Sequence, residues 1–540
     1  MSQAAHPSSA VVVGAGFAGL YALHALRQSG FSVVGLEAGA DVGGVWFWNR
    51  YPGARCDVES VDYSFSFSAE LEQEFDWSER YAAQPEILEY LRHVARRFGL
   101  YDLIRFGARV VEARFDTARD EWAVRTDDGD EVRSRYVVLA TGPLSVPLTP
   151  QIPGLSDFAG TTYFTSRWPD DPVDFTGQRV GVIGTGSSGI QCIPVIAEAA
   201  EQLHVFQRTA NFSIPAQNAP ITAEELREIK AGYRERRALA LQSRGGSPHR
   251  YRADGAMSVG PEERRAEFER AWLRGGTHFT KAFADITSDA EANSQAVAFV
   301  HEKIRSLVPD PAVAEVLMPQ DHPLGSKRIC ADTGYYATFA RDNVSLVDLK
   351  RTPILAVEPA GVRTTEGLIT LDTLVMATGF DALSGSYIAA GIHGSDGTSL
   401  AQAWQRGPTT YLGMAVAGFP NLFLLSGPGS PSVLANMVRT AEQQVEWVAG
   451  LLRYARENAA RVVEADPDAQ REWDARVQDA VEGTLFLQAK SWYVGANVPG
   501  KPQVFMPYAG GQNVYRAECD DVAADGYRGF VLRGTQRALA

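Results

Sequence analysis

Residues 10–19 read Ala-Val-Val-Val-Gly-Ala-Gly-Phe-Ala-Gly. A β-branched run passes into Gly14, Gly16 and Gly19, spaced as GxGxxG, and the helix-compatible stretch LYALHALRQSG follows. Strand, glycine turn and helix in that order are the context in which this motif holds a dinucleotide. Gly14 permits the tight turn, Gly16 lets the backbone approach a pyrophosphate, and Gly19 lets helix and strand pack closely, with the phosphates at the helix N-terminus. The next apolar strand, FSVVGLEAG, ends on Glu37. An acid about 20 residues beyond the glycines suits the diol of an adenosine ribose.

A second copy runs from Gln178 to Gly189, QRVGVIGTGSSG, with Gly184, Gly186 and Gly189 at the glycine positions and Thr185, Ser187 and Ser188 between them. Its following strand, LHVFQR, ends on Arg208 and Thr209 instead of an acid. An arginine there fits the 2′-phosphate of NADP better than the bare ribose of NAD. Two dinucleotide turns of opposite ribose chemistry point to FAD and NADPH in one chain. The fold class expected is therefore α/β, with two nested Rossmann-like domains and a helical insertion in the NADP domain.

Two buried-strand patterns that end in Ala-Thr-Gly, VVLATG at 137–142 and LVMATG at 374–379, mark where the chain leaves and re-enters the first domain. The apolar strand PNLFLLSGPG at 420–429 reads as that domain resuming. The expected division is 1–147 for the first part of the FAD domain, 148–380 for the NADP domain and 381–540 for the second part. Within the NADP domain, residues from about 222 to 325 read as helical, entered by capping-box patterns at Thr222/Glu225 and Ser288/Glu291. This block is expected to be a lid or packing extension without chemistry of its own.

Composition closes off several other classes. The chain has 540 residues, with 51 basic against 65 acidic residues and a net charge of −14, so no basic nucleic-acid surface is implied. No run reaches the ~18 apolar residues of a membrane span, and no signal-peptide pattern opens the chain. A cytoplasmic protein, working as a monomer, is expected. Cys56, Cys192, Cys330 and Cys519 are scattered singly, which supports neither a disulfide framework nor a zinc or dithiol centre, and no metal is expected. Residues 1–9 read as a frayed start.

The connector FAGTTYFTSRWP at 158–169 is unusually aromatic. Through Phe158, Gly160, Trp168 and Pro169 it resembles the fingerprint of the flavin-dependent Baeyer–Villiger monooxygenases, F-x-G-x-x-x-H-x-x-x-W-[PD]; Phe164 stands where that family has His. Histidine could donate and accept hydrogen bonds that couple cofactor binding to domain movement, and phenylalanine can do neither. The segment GGVWFWNRYPGARCD at 43–57 resembles a second family signature, with Gly44, Val45, Trp46 and Asp57, and nearby Tyr63, implied at the flavin. PLGSKRI at 323–329 is similar to the segment with the family's active-site arginine, here Arg328, and SWYVGANVPGK at 491–501 is similar to a mobile loop, about 487–510, whose Trp492 folds over NADP.

The resemblance implies that NADPH reduces the flavin, that a C4a-peroxyflavin forms from O2, and that its attack on a small-molecule ketone inserts oxygen beside the carbonyl to give an ester or lactone. It further implies that Arg328, paired with Asp57, stabilises the anions of that reaction, and that Lys327 joins Arg208 and Thr209 on the 2′-phosphate. Ser432, Val433, Leu434 and Met437 fall on the loop that lines the substrate pocket in such enzymes. The alternatives are N- or S-oxygenation by the same cofactors, and an FAD/NADPH-binding redox protein without oxygenase turnover.

Overall fold

The structure, a computed structural model, describes residues 8–249 and 251–534. Most of the expected frayed start lies outside the described residues, and Ser8 and Ser9 already belong to the first strand. Strand β1 (Ser8–Val13), helix α1 (Phe17–Gln28) and strand β2 (Val33–Leu36) form the first dinucleotide unit. β1 runs parallel to β2, with Val11 opposite Val34, and parallel to strand 131–139, with Val11 opposite Val137. Ala10 and Val12 enter the core under α1 while Val11 and Val13 enter a second core on the other face. Burial on both faces explains why β1 is a continuous apolar run and not an alternating one. Strand 422–424 pairs with 131–139 in the same eight-stranded sheet.

The second unit consists of β3 (Arg179–Ile183), α2 (Ser187–Ala199) and β4 (Gln202–Gln207). Its five-stranded sheet is parallel throughout, in the order 344–348, β4, β3, 373–376, 161–164. VVLATG therefore lies in the first sheet and LVMATG in the second. The chain visits the first sheet, builds the second, and returns to the first at 392–393 and 422–424.

The middle of the aromatic connector is a strand. Thr161–Phe164 forms the edge of the second sheet, in parallel register with Thr373–Met376. Strand alternation splits its rings between two cores: Tyr163 packs with Trp168, ring centroids 5.2 Å apart, whereas Phe158 and Phe164 pack on the cluster of Ile183, Phe206 and Met376. Phe164 thus sits against apolar side chains, a setting that suits phenylalanine without a polar partner.

The expected helical block forms helices at 223–241, 261–274, 290–307 and 311–317. Thr222 and Glu225 make the capping box read from the sequence. The second start differs by one residue. Asp289, not Ser288, is the N-cap, its carboxylate accepting from the Ala292 N–H, while the Ser288 hydroxyl donates back to the Asp285 carbonyl.

An ionic cluster joins this block to the first domain. Glu59 accepts from Arg80 and from Arg236, and Asp62 accepts from Arg236. His249 and His278 approach the same carboxylate, Nε2 to oxygen 3.2 and 3.4 Å. Glu59, His249 and His278 together form a three-ligand arrangement that the scattered sequence positions did not suggest. Two guanidinium groups already occupy the Glu59 oxygens, so its charge is neutralised within the chain.

Burial pushes the His278 imidazole down to about 4, against the pull of Glu59, while Glu59 itself is held far below the usual carboxylate range by His249, His278 and Arg80 despite its burial. An unfolded histidine titrates near 6.5. Between about 6.5 and 4 the unfolded chain binds a proton that the folded chain refuses, so stability falls as pH drops through that window; Glu59 adds to the loss below about 4.5. The thermal midpoint is expected to decline from pH 6.5 to 4, and His278→Gln to flatten the upper half of that decline, as followed by scanning calorimetry.

Candidate active site

The first glycine turn is built by backbone crowding. Gly14 has φ +103°, and a Cβ there would stand 2.6 Å from the Ala140 carbonyl oxygen. A Cβ at Gly19 would stand 1.8 Å from the Gly14 carbonyl oxygen, which is the close helix–strand contact its position requires. Glu37, at the end of β2, is only 5 % exposed and accepts from the N–H groups of Ala15 and Gly39, both at 2.7 Å. It orders the turn, and burial raises its carboxyl above the ordinary value, against the pull of those two N–H donors.

Both helices of the dinucleotide units begin on glycine, with no side-chain cap and no acid in the first turn. Their leading N–H groups are left for an anion, and the second turn is open: a Cβ on Gly186 would meet nothing within 4 Å. The residues present fit two dinucleotides.

Gly44 meets the first turn from the other side, its φ +54° and its would-be Cβ 2.9 Å from the Gly16 Cα. The short helix Val45–Trp48 follows, and Trp46 Nε1 donates to the Tyr63 hydroxyl at 3.3 Å. Tyr63 in turn packs edge-on to Phe17 at the start of α1. Farther along, Tyr51 donates to Gln191 on α2 at 2.8 Å and Gln191 donates back to the Arg55 carbonyl at 3.0 Å. The segment therefore touches both dinucleotide units and delivers Asp57 between them.

Asp57 meets Arg328 there, from 271 residues away. Arg328 donates from Nε to one carboxylate oxygen at 2.5 Å and from Nη2 to the other at 2.8 Å, and Nη1 donates to the Val433 carbonyl. Three of the five N–H donors of the guanidinium are thus fixed and two remain. Burial alone would raise Asp57, but the Arg328 charge outweighs it and holds the carboxyl below the usual value. Burial alone would lower Arg328, and Asp57 overturns that too, so the cation is permanent.

Arg328 lines a cavity of about 140 Å³ together with Val433, Leu434 and Tyr493. Of the four expected pocket residues, Val433 and Leu434 line it. Ser432 is fully buried with φ +43°, its hydroxyl donating to the Ser426 carbonyl, and Met437 packs behind it with its sulfur 4.0 Å from that hydroxyl. Trp492 rests on Tyr493, ring centroids 4.5 Å apart, and it is Tyr493 that stands beside Arg328. The loop 487–510 is tied down by Asn497 to the Phe380 carbonyl at 2.8 Å and by Lys501 to the Ala382 carbonyl at 2.8 Å and Asp381 at 2.5 Å.

Helical-block residues also line this cavity, among them Arg244, Tyr251 and Thr280. The block was expected to be a lid or packing extension without chemistry of its own; its connecting segments line the cavity of Arg328. The sequence signal was faint, because these residues lie between the helices and not on their periodic faces.

At the end of β4, Arg208 is exposed and makes no ion pair among the described residues, and the Thr185 hydroxyl donates to the Thr209 carbonyl at 3.1 Å. Burial lowers the Lys327 ammonium below the ordinary lysine value, and the charges of Arg208 and Lys350 lower it further against the pull of Asp321. Lys327 and Lys350 thus lie within reach of the charge field at the end of β4, with Lys350 also paired to Asp321 at 3.3 Å. Lys350, just past strand 344–348, was not singled out from the sequence.

Two glycine turns, one closed by a buried acid and one flanked by cations, define a flavoprotein oxidoreductase that takes FAD and NADP. Residues 11–242 match the family model described as pyridine nucleotide-disulphide oxidoreductase. A Baeyer–Villiger monooxygenase of Pseudooceanicola batsensis is 40 % identical over 526 residues, 97 % of this chain and 96 % of that protein. The phenazine N-monooxygenase of Lysobacter antibioticus is 40 % identical over 534 residues, 98 % of each. The solved structure of an oxidised steroid monooxygenase bound to NADP superimposes with TM-score 0.95 at 54 % identity, covering 98 % of this chain and all of that one. The chain belongs to the flavin-dependent Baeyer–Villiger monooxygenase family. Among the described residues no helix is long and apolar enough to cross a membrane, and all four cysteines are free and buried.

Proposed function

We propose that the chain inserts one oxygen atom of O2 beside the carbonyl of a ketone, yielding an ester or lactone, with NADPH as reductant. FAD, when bound, supplies the two-electron chemistry and the activation of O2. The chain's own residues bind, orient and stabilise charge. Gly14, Gly16, Gly19 and Glu37, with Gly44–Trp46 and Tyr63 alongside, would hold FAD; Gly184–Gly189, Arg208, Thr209 and Lys327 would hold NADPH, with Trp492 over it. The observation that carries the reading is Arg328, anchored on Asp57 and Val433 with two N–H donors left at the cavity. A preorganised cation in that place stabilises the negative charge that develops on a carbonyl oxygen under attack, and it has no proton to exchange. Apolar walls from Val433 and Leu434 keep water from that charge.

The N-oxygenating relative supports a second reading, oxygenation of a soft nucleophile, which would not call on such a cation. Incubation with NADPH, O2 and matched panels of ketones, sulfides and amines separates the two. Ester or lactone from ketones is the expected product, and oxygenation of amines or sulfides alone would reverse the assignment.

The phosphate role of Lys327 has its own test. Losing one charged contact to a phosphate costs roughly 1.5–3 kcal/mol, on the order of tenfold or more in affinity. Lys327→Ala is expected to raise the KM for NADPH by that factor and to leave the KM for NADH nearly unchanged, measured by steady-state kinetics with both coenzymes.

A further inference from the structure

We propose that the natural substrate is a ketone that also carries a carboxylate, and that Arg244 at the cavity recognises that carboxylate. This rests on the ketone-oxygenating reading above and concerns the same cavity. Two arginines line the cavity, Arg328 and Arg244, and no acidic residue does. That is unexpected in a chain with 65 acidic and 51 basic residues. Arg328 is neutralised by its bond to Asp57. Arg244 forms no ion pair with any described residue, so its charge is the uncompensated one in the cavity wall.

Arg244 is placed, not loose. Its Nη2 donates to the Ala509 carbonyl at 2.8 Å, and its own carbonyl accepts from the Gln512 N–H at 2.8 Å. Its stem lies against Gly511, where an added Cβ would come within 2.7 Å of the Arg244 Cγ at φ +103°. A residue with a side chain at 511 would displace the arginine, so the glycine makes room for it. One N–H of five is used, which leaves a planar fork free for bidentate pairing with a carboxylate. Tyr251 and Tyr508, both in the same wall, feel the Arg244 charge. The guanidinium shares that wall with both tyrosines. With Arg328 facing the reacting carbonyl, the two cations set separate stations for the two ends of a keto acid.

The test is a comparison of kcat/KM for a keto acid and for its methyl ester, with a neutral ketone of the same skeleton as a third substrate, in wild type, Arg244→Ala and Arg244→Lys. The wild type is expected to prefer the acid on the order of tenfold over the ester, chiefly in KM. The preference should shrink with added salt, since the paired groups stand near solvent. In Arg244→Ala the ratio of acid to ester should fall to about one, and Arg244→Lys should restore part of it, because the charge returns without the fork. Equal use of acid and ester by the wild type overturns the proposal without reference to any variant. So does an acid preference that Arg244→Ala leaves intact. Ester product from the neutral ketone alone keeps the ketone-oxygenating reading and removes only the carboxylate; no ester from any of the three removes both.

Discussion

Arg328→Ala is expected to lower kcat for ketone oxygenation on the order of 10²–10³ while FAD stays bound. The side chain touches no part of either glycine turn; its three hydrogen bonds run to Asp57 and Val433, and its remaining donors meet the cavity. Arg328→Lys should recover little, since one ammonium cannot bridge both Asp57 oxygens and the Val433 carbonyl at once. Stability gives an independent readout. Without Arg328, burial governs Asp57 and raises its carboxyl above the unfolded value. An acid raised in the folded state destabilises it once pH exceeds the unfolded value near 3.9, so the variant loses stability at pH 7. Breaking such a pair by removing one member costs roughly 3–5 kcal/mol when fully buried, and less here because each side chain retains about a fifth to a quarter of its exposure. Arg328→Ala with Asp57→Ala should therefore recover the thermal midpoint but not the turnover. Product analysis and calorimetry check both parts, and ketone turnover within a few-fold of wild type would remove Arg328 from the chemistry.

The parts of this site that were legible in the sequence are those that a local pattern dictates. The glycine turns could be read because strand, turn and helix lie within thirty residues and each glycine answers a close backbone contact, as Gly14 and Gly19 do. Asp57 and Arg328 lie 271 residues apart, and no periodicity joins them; only the resemblance of their two segments to a family put them on one page. Where the chain departs from a local rule, chemistry one residue away decided the outcome. Asp289 took the helix cap that Ser288 was expected to provide, and Tyr493, which the sequence did not single out, stands beside Arg328. The connector 158–169 was legible as an aromatic fingerprint, but not that its Tyr163 and Phe164 alternate between two cores, a two-residue period too short to stand out among four rings. Lining residues such as Arg244 and Thr280 were illegible because they sit in a turn and in the short 3-10 helix Gly276–Lys281, where side-chain direction follows tertiary placement and not spacing.

Two alanine substitutions in equivalent helices should separate crowding from ligand contact. At Gly19 the added methyl would lie 1.8 Å from the Gly14 carbonyl oxygen, far inside contact distance, and the obstructing atom is backbone. Relief requires α1 to lift off β1, the strand buried on both faces at the centre of the first sheet, with loss of packing in both cores. The expected cost exceeds the ~4–5 kcal/mol that marks exceptional substitutions, so Gly19→Ala should be recovered, if at all, without FAD and with a broadened, lowered melting transition. Gly186 occupies the middle glycine of the second turn, but with φ −81° to −83° shared by the first turn's Gly16 and no atom within 4 Å of an added Cβ. Any L-residue adopts that conformation, so Gly186→Ala should melt as the wild type does and retain FAD. Its methyl would instead stand over the uncapped start of α2, where the NADPH pyrophosphate is proposed to lie, and backbone approach to a phosphate tolerates no intervening carbon. The KM for NADPH should rise by at least about tenfold, the loss of a charge-assisted contact or more, with FAD content unchanged. FAD-to-protein ratio, calorimetry and NADPH titration distinguish the outcomes. An unaltered KM in Gly186→Ala would move the pyrophosphate off that helix, whatever the behaviour of Gly19→Ala.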